Sequence, residues 1–314
     1  MAVGSPRVWS ALGIVYLVWG STYLAIRFSV QTMPPFASAA ARFILAGSIL
    51  LGVVSVRGGV PVWRVEPRRL RNAAISGILL LTSGNGLVVL GETRVPSGLA
   101  ALLVAAVPLW LVVVRRIVGD RTPVATVLGV LIGLCGVAVL LLPGSRGGQV
   151  DLLYCGIILL AALSWSIGSL VAVRSTVPHN LMMLSAGEMI AGGLLLAFLA
   201  AIKGEFAHLR LDQVSAKSWL ALGYLVIFGS IVAFSAYVWV LGNAPTSLVA
   251  TYAYVNPAVA VALGVLIAGE QLRLIEILGG AVILVCVLVV VRAEAQTRTP
   301  APDPVAEGCA AGTR

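Results

Sequence analysis

The chain has 314 residues, of which 60% are hydrophobic and only 11% charged, and its mean hydropathy is +1.04. A soluble domain carries about 25% charged residues to wet its surface, so this composition excludes an ordinary soluble enzyme and predicts an all-α integral membrane protein. The net charge of +9 is what basic cytoplasmic loops produce in such a protein, and we expect no nucleic-acid partner.

The cysteines and histidines predict neither a metal site nor a cofactor. None of the four cysteines belongs to a CxxC pair, and the two histidines, His179 and His208, lie on different segments. Metal sites need ligands at short, regular spacings. We therefore expect no metal, no cofactor and no catalytic residue.

Apolar stretches long enough to cross a bilayer recur along nearly the whole chain. A spanning helix needs about 20 predominantly apolar residues, and the uncharged run from Ser218 to Gly269 is too long for one. The turn-forming Gly242-Asn243-Ala244-Pro245 divides that run, and Thr246 can cap the next helix. We interpret the first stretch as a retained helix rather than a signal peptide, because other spans follow it along the whole chain. The ten predicted spans are 8–28, 36–56, 71–91, 96–114, 123–142, 152–173, 180–202, 218–241, 246–268 and 273–291.

The distribution of basic residues predicts the orientation. With the N-terminus in the cytoplasm, 13 basic residues fall on the cytoplasmic side and 7 on the outer side, and Arg42 lies within a span. Because cytoplasmic loops carry the excess of Lys and Arg, we expect both termini in the cytoplasm. Residues 293–314 are rich in Ala, Pro, Glu and Thr without an apolar period, which predicts a disordered cytoplasmic tail.

The two halves of the chain resemble each other. Residues 95–110 (VPSGLAALLVAAVPLW) align with residues 244–259 (APTSLVATYAYVNPAV). Matching residues recur at separations of 146 to 150, namely Trp19 with Trp165, Arg42 with Glu188, Pro96 with Pro245, Pro108 with Pro257, and Leu128-Gly129 with Leu278-Gly279. Each half holds five predicted helices, an odd number, so the second half enters the membrane upside down. The sequence predicts two inverted five-helix repeats, 1–145 and 146–292, as in many secondary transporters; the alternative is a duplication that serves bundle stability alone.

Six segments also resemble the EamA branch of the drug/metabolite transporter superfamily. They are WGSTYLAIR (19–27), GNGLVVLGE (84–92), VPSGLAALL (95–103), SWSIGS (164–169), GYLVIFGSIVAFSAYVWVL (223–241) and TYAYVNPAVAVALGVLIAGE (251–270). The resemblance spans residues 9–292. It implies ten helices in two inverted five-helix repeats and export of small metabolites or drugs, but no particular substrate, since members of this family differ widely in what they carry.

Two charged residues lie inside apolar spans, where a charge is costly and marks a candidate functional group. Arg42 falls in predicted helix 2, near the outer side, and Glu188 falls in predicted helix 7, near the inner side. In the functional interpretation, Glu188 is a coupling carboxylate that binds a proton or another cation, and Arg42 is a clamp or gate for an anionic substrate. In the alternative, both are structural charges that are paired or reach an interface.

Predicted helices 4 and 9 each contain an interior proline, Pro108 and Pro257. A proline removes a backbone hydrogen bond and kinks the helix, which frees carbonyl groups around Val104 and Ala253. Candidate substrate contacts beside the second kink are Tyr252, Tyr254 and Asn256. We expect the substrate contacts to be dominated by helix 9; ordinary packing between helices is the alternative.

Other polar and aromatic residues inside spans complete the candidate binding set, namely Trp19, Tyr23, Asn85 and Trp165. Ser and Thr in the same spans are expected to bond back to their own helices. Glu92 and Glu270 end short outer loops, where we expect solvated charges rather than a site.

The predicted function is export of small metabolites, such as amino acids or related compounds, or of drugs, by alternating access across the bacterial inner membrane. The expected partners are a small-molecule substrate and the lipid bilayer, and protons are a candidate coupling ion. An uncoupled facilitator or an importer is the alternative within transport. A membrane-embedded enzyme is a distant alternative, because neither histidine is near Glu188 in sequence.

Overall fold

The computed structural model describes residues 6–57, 66–119, 124–140, 151–175, 181–244, 251–271 and 274–297. These residues form helices and turns, with no strand among them. We number the helices in chain order: α1 (Pro6–Ser29), α2 (Pro35–Val56), α3 (Pro67–Gly91), α4 (Ser97–Ile117), α5 (Val124–Leu140), α6 (Leu152–Ser175), α7 (Leu181–Ile202), α8 (Ala216–Asn243), α9 (Tyr252–Ala268) and α10 (Leu274–Thr297). The short turns Glu205–His208 and Leu211–Gln213 join α7 to α8.

Seven of the helices in the described part of the chain are long and apolar enough to cross a membrane: α1, α2, α3, α4, α6, α7 and α8. Shorter apolar stretches, Val255–Ala268 and Ile277–Cys286, lie within α9 and α10. The all-helical class is therefore confirmed for the described residues. Ten complete spans stay a prediction, and the predicted boundary between the halves falls within 141–150, outside the described residues.

Local sequence sets the helix ends. Pro35 and Pro67 occupy first positions of α2 and α3, where a missing N–H costs nothing. Ser215 precedes α8, and its hydroxyl accepts a hydrogen bond from the Ser218 backbone N–H at 3.1 Å. Helix α10 continues to Thr297, beyond residue 293 where a tail was predicted, because Ala, Glu and Gln in that stretch favour helix. The rest of the predicted tail, and the predicted Thr246 cap, lie outside the described residues.

Two of the long helices widen midway into π-helical segments. In α3 the segment is Ile78–Asn85, and in α8 it is Leu225–Val232. The two are equivalent positions in the repeat predicted from the sequence. π-Helical turns are rare and occur often at functional sites, which directs attention to the space between these helices.

The helices pack in an arrangement that is nearly the same for the two halves. Helix α1 contacts α8 and α9, and α6 contacts α3 and α4. Helix α2 packs against α7, and α5 against α10. Three buried apolar clusters result. One around Phe43 draws on α1, α2, α3, α7 and α8, one around Leu103 draws on α4 to α6 and α10, and a small one joins Val8 and Leu12 of α1 to Val240 of α8.

Small residues bring α3 close to its neighbours. A Cβ added to Gly77 would collide with the backbone of Glu188 in α7, and one added to Gly84 would lie 3.0 Å from the Trp165 ring in α6. Glycine at such seams lets membrane helices approach closely. This packing holds the π-helical part of α3 against both α6 and α7.

Candidate functional site

A cavity of about 170 Å³ lies near the middle of the long helices. Its walls come from α1, α2, α3, α4, α6, α8 and α9. It borders the two larger apolar clusters, through Phe43 on one side and Ala105 on the other. Its position near the middle of spanning helices from both halves is where secondary transporters bind their substrates.

Most of the side chains predicted as substrate contacts, gate or kinks line this cavity. They are Trp19, Tyr23, Arg42, Asn85, Pro108, Trp165, Tyr252, Asn256 and Pro257. The cavity thus brings together residues from both halves of the chain. Helix α9 supplies part of the wall, and α1, α3 and α4 each supply as large a share, so dominance of helix 9 among the substrate contacts stays a prediction. Tyr254 lies in α9, but its side chain is outside the described part of the structure.

Among the described residues of the cavity wall, Arg42 is the one that carries a charge. Its side chain is only 5% exposed. Its Nε donates to the Ser230 hydroxyl in α8 at 3.0 Å, and its Nη1 donates to Oδ1 of Asn85 in α3 at 3.4 Å. The guanidinium also lies 4.8 Å from the centre of the Phe43 ring. Among the described residues no carboxylate lies within ion-pair distance of Arg42, so all of these partners are neutral.

Three aromatic rings pack together, and two of them, Trp19 and Tyr252, line the cavity. The Trp19 ring centre lies 5.1 Å from that of Tyr237 and 5.4 Å from that of Tyr252, and the two tyrosine rings are 5.8 Å apart. Trp19 Nε1 donates to the Gly229 carbonyl of α8 at 3.1 Å, which fixes the indole across the helix interface. Edge-to-face contact is a favourable arrangement of aromatic rings, so Trp19 and Tyr252 present a packed aromatic surface to the cavity.

The two prolines act differently on their helices. Helix α4 is interrupted between Val104 and Val107, just before Pro108, and the Ser166 hydroxyl of α6 donates to the Val107 carbonyl at 2.8 Å. Helix α9 continues through Pro257. Pro108 leaves the Val104 carbonyl without its helical donor, and Pro257 does the same to the Ala253 carbonyl. Val104 and Ala253 both line the cavity.

Asn256 provides the cavity with an unused hydrogen-bonding atom. The residue is 7% exposed, and its Oδ1 has no hydrogen-bond partner among the described residues. A buried polar atom left without a partner costs about 1–3 kcal/mol. A ligand donor in the cavity would remove that cost.

Glu188 lies away from the cavity. It is half-buried in α7, does not line the cavity walls, and its backbone packs against Gly77. The structure therefore does not bring Glu188 and Arg42 into one site, although the two occupy equivalent positions in the predicted repeat. In the described part of the chain, no three His, Cys, Asp or Glu side chains are grouped as metal ligands.

Charged residues meet at the end of the bundle where α1, α3 and α9 end and α4 begins. The Glu270 carboxylate accepts hydrogen bonds from Ser97 N at 2.8 Å, Ser97 Oγ at 2.7 Å and Gly98 N at 2.9 Å. Gly269, with φ of 64°, gives the left-handed turn that brings Glu270 to this place. Helix α9 is in this way tied to the first turn of α4.

Glu92, at the same end, is fully buried. Its side chain is 0% exposed, and neither carboxyl oxygen has a hydrogen-bond partner in the described residues. Arg27 donates to the backbone carbonyl of Glu92 at 2.9 Å, not to its carboxyl group. The expectation that Glu92 and Glu270 are merely solvated loop charges is wrong, because helix packing covers one and the α4 N-terminus binds the other.

Sequence reasoning missed Ser230 and Glu92 as parts of this arrangement. Ser230 is a single small hydroxyl in an apolar segment, and nothing in its spacing connects it with Arg42, 188 positions away. For Glu92 one signal was available: the loop between two apolar spans is only a few residues long, so its side chains lie close to the helix ends.

Comparisons with known proteins agree with this picture. The model of the EamA-like transporter family matches residues 8–142 and 152–292. The "Uncharacterized inner membrane transporter YedA" of Escherichia coli (strain K12) is 41% identical over 288 residues, which are 90% of this chain and 90% of that protein. The family resemblance of the six sequence segments is thereby confirmed.

More distant similarities point the same way. A "Probable amino-acid metabolite efflux pump" of Escherichia coli (strain K12) is 25% identical over 280 residues, covering 86% of this chain and 90% of that protein. One solved structure, described only as a crystal structure of a protein, is 22% identical and has a TM-score of 0.63, covering 93% of this chain and 99% of that chain. This last likeness shows the fold alone.

Proposed function

The chain belongs to the EamA-like transporter family, and on that premise we propose that it exports small amphipathic metabolites that carry a carboxylate, amino acids in the first place, across the bacterial inner membrane. The mechanism is alternating access, in which the central cavity opens to one side of the membrane at a time. The relatives named as transporters, one of them an amino-acid metabolite efflux pump, support this class of function.

The observation that carries the proposal is the charge of Arg42. A buried cation without a counter-ion is costly, and within the described residues its hydrogen-bond partners are the neutral groups of Ser230 and Asn85. A substrate carboxylate entering the cavity supplies the missing negative charge and the planar pair of oxygens that a guanidinium binds best. An anionic group is therefore the ligand that this site favours.

The rest of the cavity matches an amino acid. Asn256 offers an unpartnered oxygen to a donor such as an ammonium group, and the rings of Trp19 and Tyr252 offer apolar surface. The cavity volume of about 170 Å³ is similar to cavities of about 150 Å³ that hold benzene. A side chain no larger than a phenyl group suits this size.

Ten spans in two inverted repeats form the framework that we propose for alternating access. Three features support it: the similar helix contacts of the two halves, the equivalent π-helical segments Ile78–Asn85 and Leu225–Val232, and the family match to two consecutive segments. Two similar halves can exchange conformations, which gives inward-open and outward-open states of comparable energy.

The orientation with both termini in the cytoplasm places the charged end of the bundle, with Arg27 and Glu270, on the outer side. The positive-inside distribution of basic residues supports this orientation. The meeting of the α1, α3 and α9 ends with the α4 start agrees with the alternation of helix ends in a ten-span chain.

The test is transport by the full chain in liposomes. Labelled phenylalanine is compared with phenethylamine, which lacks only the carboxylate, in the wild type and in Arg42→Gln. We expect exchange of phenylalanine but not of phenethylamine, and a loss of about 10- to 100-fold in apparent affinity in Arg42→Gln, as for a lost charged hydrogen bond. Arg94→Gln is the matched control, because Arg94 is exposed outside the cavity.

Two results would contradict the proposal. Equal transport of phenethylamine and phenylalanine would show that a carboxylate is not recognised. Unchanged transport by Arg42→Gln, at equal amounts of folded protein, would remove Arg42 from the site. If no applied ion gradient drives phenylalanine beyond equal concentrations on the two sides of the membrane, the chain is an uncoupled facilitator.

A further inference from the structure

The carboxyl group of Glu92 has no role in the site described above, yet it is the most completely buried acidic group in the described part of the chain. It follows the last turn of α3, where its backbone N–H donates to the Val88 carbonyl at 2.9 Å. Its side chain is 0% exposed, and both oxygens lack partners among the described residues. Burial of an ionised carboxylate in such surroundings costs far more free energy than burial of the neutral acid. The geometry therefore describes a group that holds a proton.

Charged and titratable groups face Glu92 from three elements. Arg27 and Tyr23 approach from α1, Arg42 from α2, and Glu270 from the end of α9. Burial raises the pKa of the Glu92 carboxyl well above its usual range, and the Glu270 carboxylate raises it further, whereas Arg27 and Arg42 oppose the shift. Glu92 also follows the C-terminus of α3, where the helix dipole disfavours a negative charge.

Glu92 lies one helical turn from the cavity. Its backbone N–H donates to the carbonyl of Val88, and Val88 lines the cavity together with Arg42, whose charge opposes the rise in the Glu92 pKa. Ionisation of Glu92, which occurs only when the pH rises above its raised pKa, places a negative charge near Arg42. When a substrate carboxylate binds Arg42, a second negative charge nearby is unfavourable. Anion binding and proton binding therefore favour each other.

We propose that Glu92 is a proton-binding site of the transporter, and that its proton occupancy is linked to occupation of the Arg42 site by a carboxylate. The proton is exchanged with water when the charged end of the bundle opens and hydrates the carboxyl group, and it is retained when the helices close over it. No covalent bond changes. This inference rests on the proposed function for the anion, but the proton site itself stands on the burial of Glu92.

Glu188, the carboxylate predicted from sequence to couple transport to protons, is the competing candidate. It is half-buried and lies outside the cavity walls. Glu188 is therefore separated from the Arg42 site, whereas Glu92 lies one helical turn from Val88, which lines the cavity together with Arg42. The two assignments make opposite predictions: the pH dependence of binding is lost in Glu92→Gln if Glu92 binds the proton, and in Glu188→Gln if Glu188 does.

The first experiment measures the proton without any substrate. Infrared difference spectra of the purified chain are recorded from about pH 4 to about pH 9, the range over which buried carboxyl groups titrate. We expect a carbonyl band of a protonated carboxylic acid at neutral pH that Glu92→Gln removes. The exposed Glu66 gives the control variant Glu66→Gln, which should retain the band. A band that is the same in Glu92→Gln and wild type would overturn the proton site.

The second experiment measures the linkage, with phenylalanine as the probe. Protonation of Glu92 removes a negative charge that competes for Arg42, so affinity should be highest at low pH. We expect it to fall by about 5-fold or more as the pH rises through the titration of Glu92, the lower end of typical coupling between sites. Glu92→Gln should show the high affinity at every pH, whereas Glu92→Asp, which keeps a titratable group, should show a displaced midpoint.

The outcomes separate the two proposals. If the wild type does not bind phenylalanine, the proposed substrate class fails while the infrared titration still decides the proton site. If phenylalanine binds but Glu92→Gln keeps the full pH dependence, the linkage is refuted. If Glu188→Gln instead abolishes that dependence, the coupling carboxylate is Glu188.

Discussion

The connection between Glu270 and the start of α4 allows a quantitative prediction. In the wild type, one carboxylate oxygen of Glu270 accepts from Ser97 N at 2.8 Å and the other accepts from Gly98 N at 2.9 Å. In Glu270→Gln one of these oxygens becomes an NH₂ group, which cannot accept a hydrogen bond, so one of the two bonds is lost. A lost hydrogen bond to a charged group costs about 1.5–3 kcal/mol, and a lost negative charge at a helix N-terminus costs about 0.3–1 kcal/mol more. A total of about 2 kcal/mol or more makes separation of α4 from Glu270 about 30-fold more frequent.

Hydrogen–deuterium exchange measured by mass spectrometry tests this prediction. Amide exchange in the first turn of α4, at Ser97 and Gly98, should accelerate by about 30-fold or more in Glu270→Gln, since exchange follows local opening. Glu205→Gln is the matched control, because Glu205 accepts a hydrogen bond from Ala37 N at 2.9 Å at the start of α2. That variant should accelerate exchange at Ala37 and leave α4 unchanged. Unaltered exchange at Gly98 in Glu270→Gln would show that the carboxylate does not hold this end together.

Two further predictions concern the cavity and the orientation. Asn256→Ala should weaken the apparent affinity for phenylalanine by about 1–3 kcal/mol, the cost of leaving a buried donor of the substrate without a partner. Val107→Ala should have a much smaller effect. Equal transport defects in the two variants, at equal membrane levels, would show that the Asn256 amide makes no contact with the substrate. A reporter that is active only in the cytoplasm should be active when fused after Arg314, and activity there of a periplasm-only reporter would reverse the orientation.

The parts of the fold that the sequence predicted are those that depend on local pattern. Helices such as α2 (Pro35–Val56) lie within one or two residues of their predicted spans, because the apolar thickness of a bilayer fixes a length that composition reveals directly. The repeat placed Trp19 and Trp165 in corresponding helices, and both line the cavity. The sequence pattern thus predicted features that depend on a single helix, such as the bounds of α2.

What the sequence did not reveal depends on how helices meet. The bond from Arg42 to Ser230 and the exclusion of water from Glu92 are made by packing between separate helices. Arg42 and Glu188 look equivalent in sequence, yet only Arg42 lines the cavity. One chain without aligned relatives holds no information on such pairings, and π-helical segments such as Leu225–Val232 have no residue pattern of their own.

The π-helical segments have a consequence for the way Arg42 is held. Both of its hydrogen-bond partners, Asn85 and Ser230, lie on these segments, one in α3 and one in α8. A π turn contains more residues than an α turn. Conversion of the π turn into an α turn shifts the helical register by about one residue, which rotates the side chains that follow by about 100° around the helix axis. The hold on Arg42 thus depends on how tightly two helices are wound.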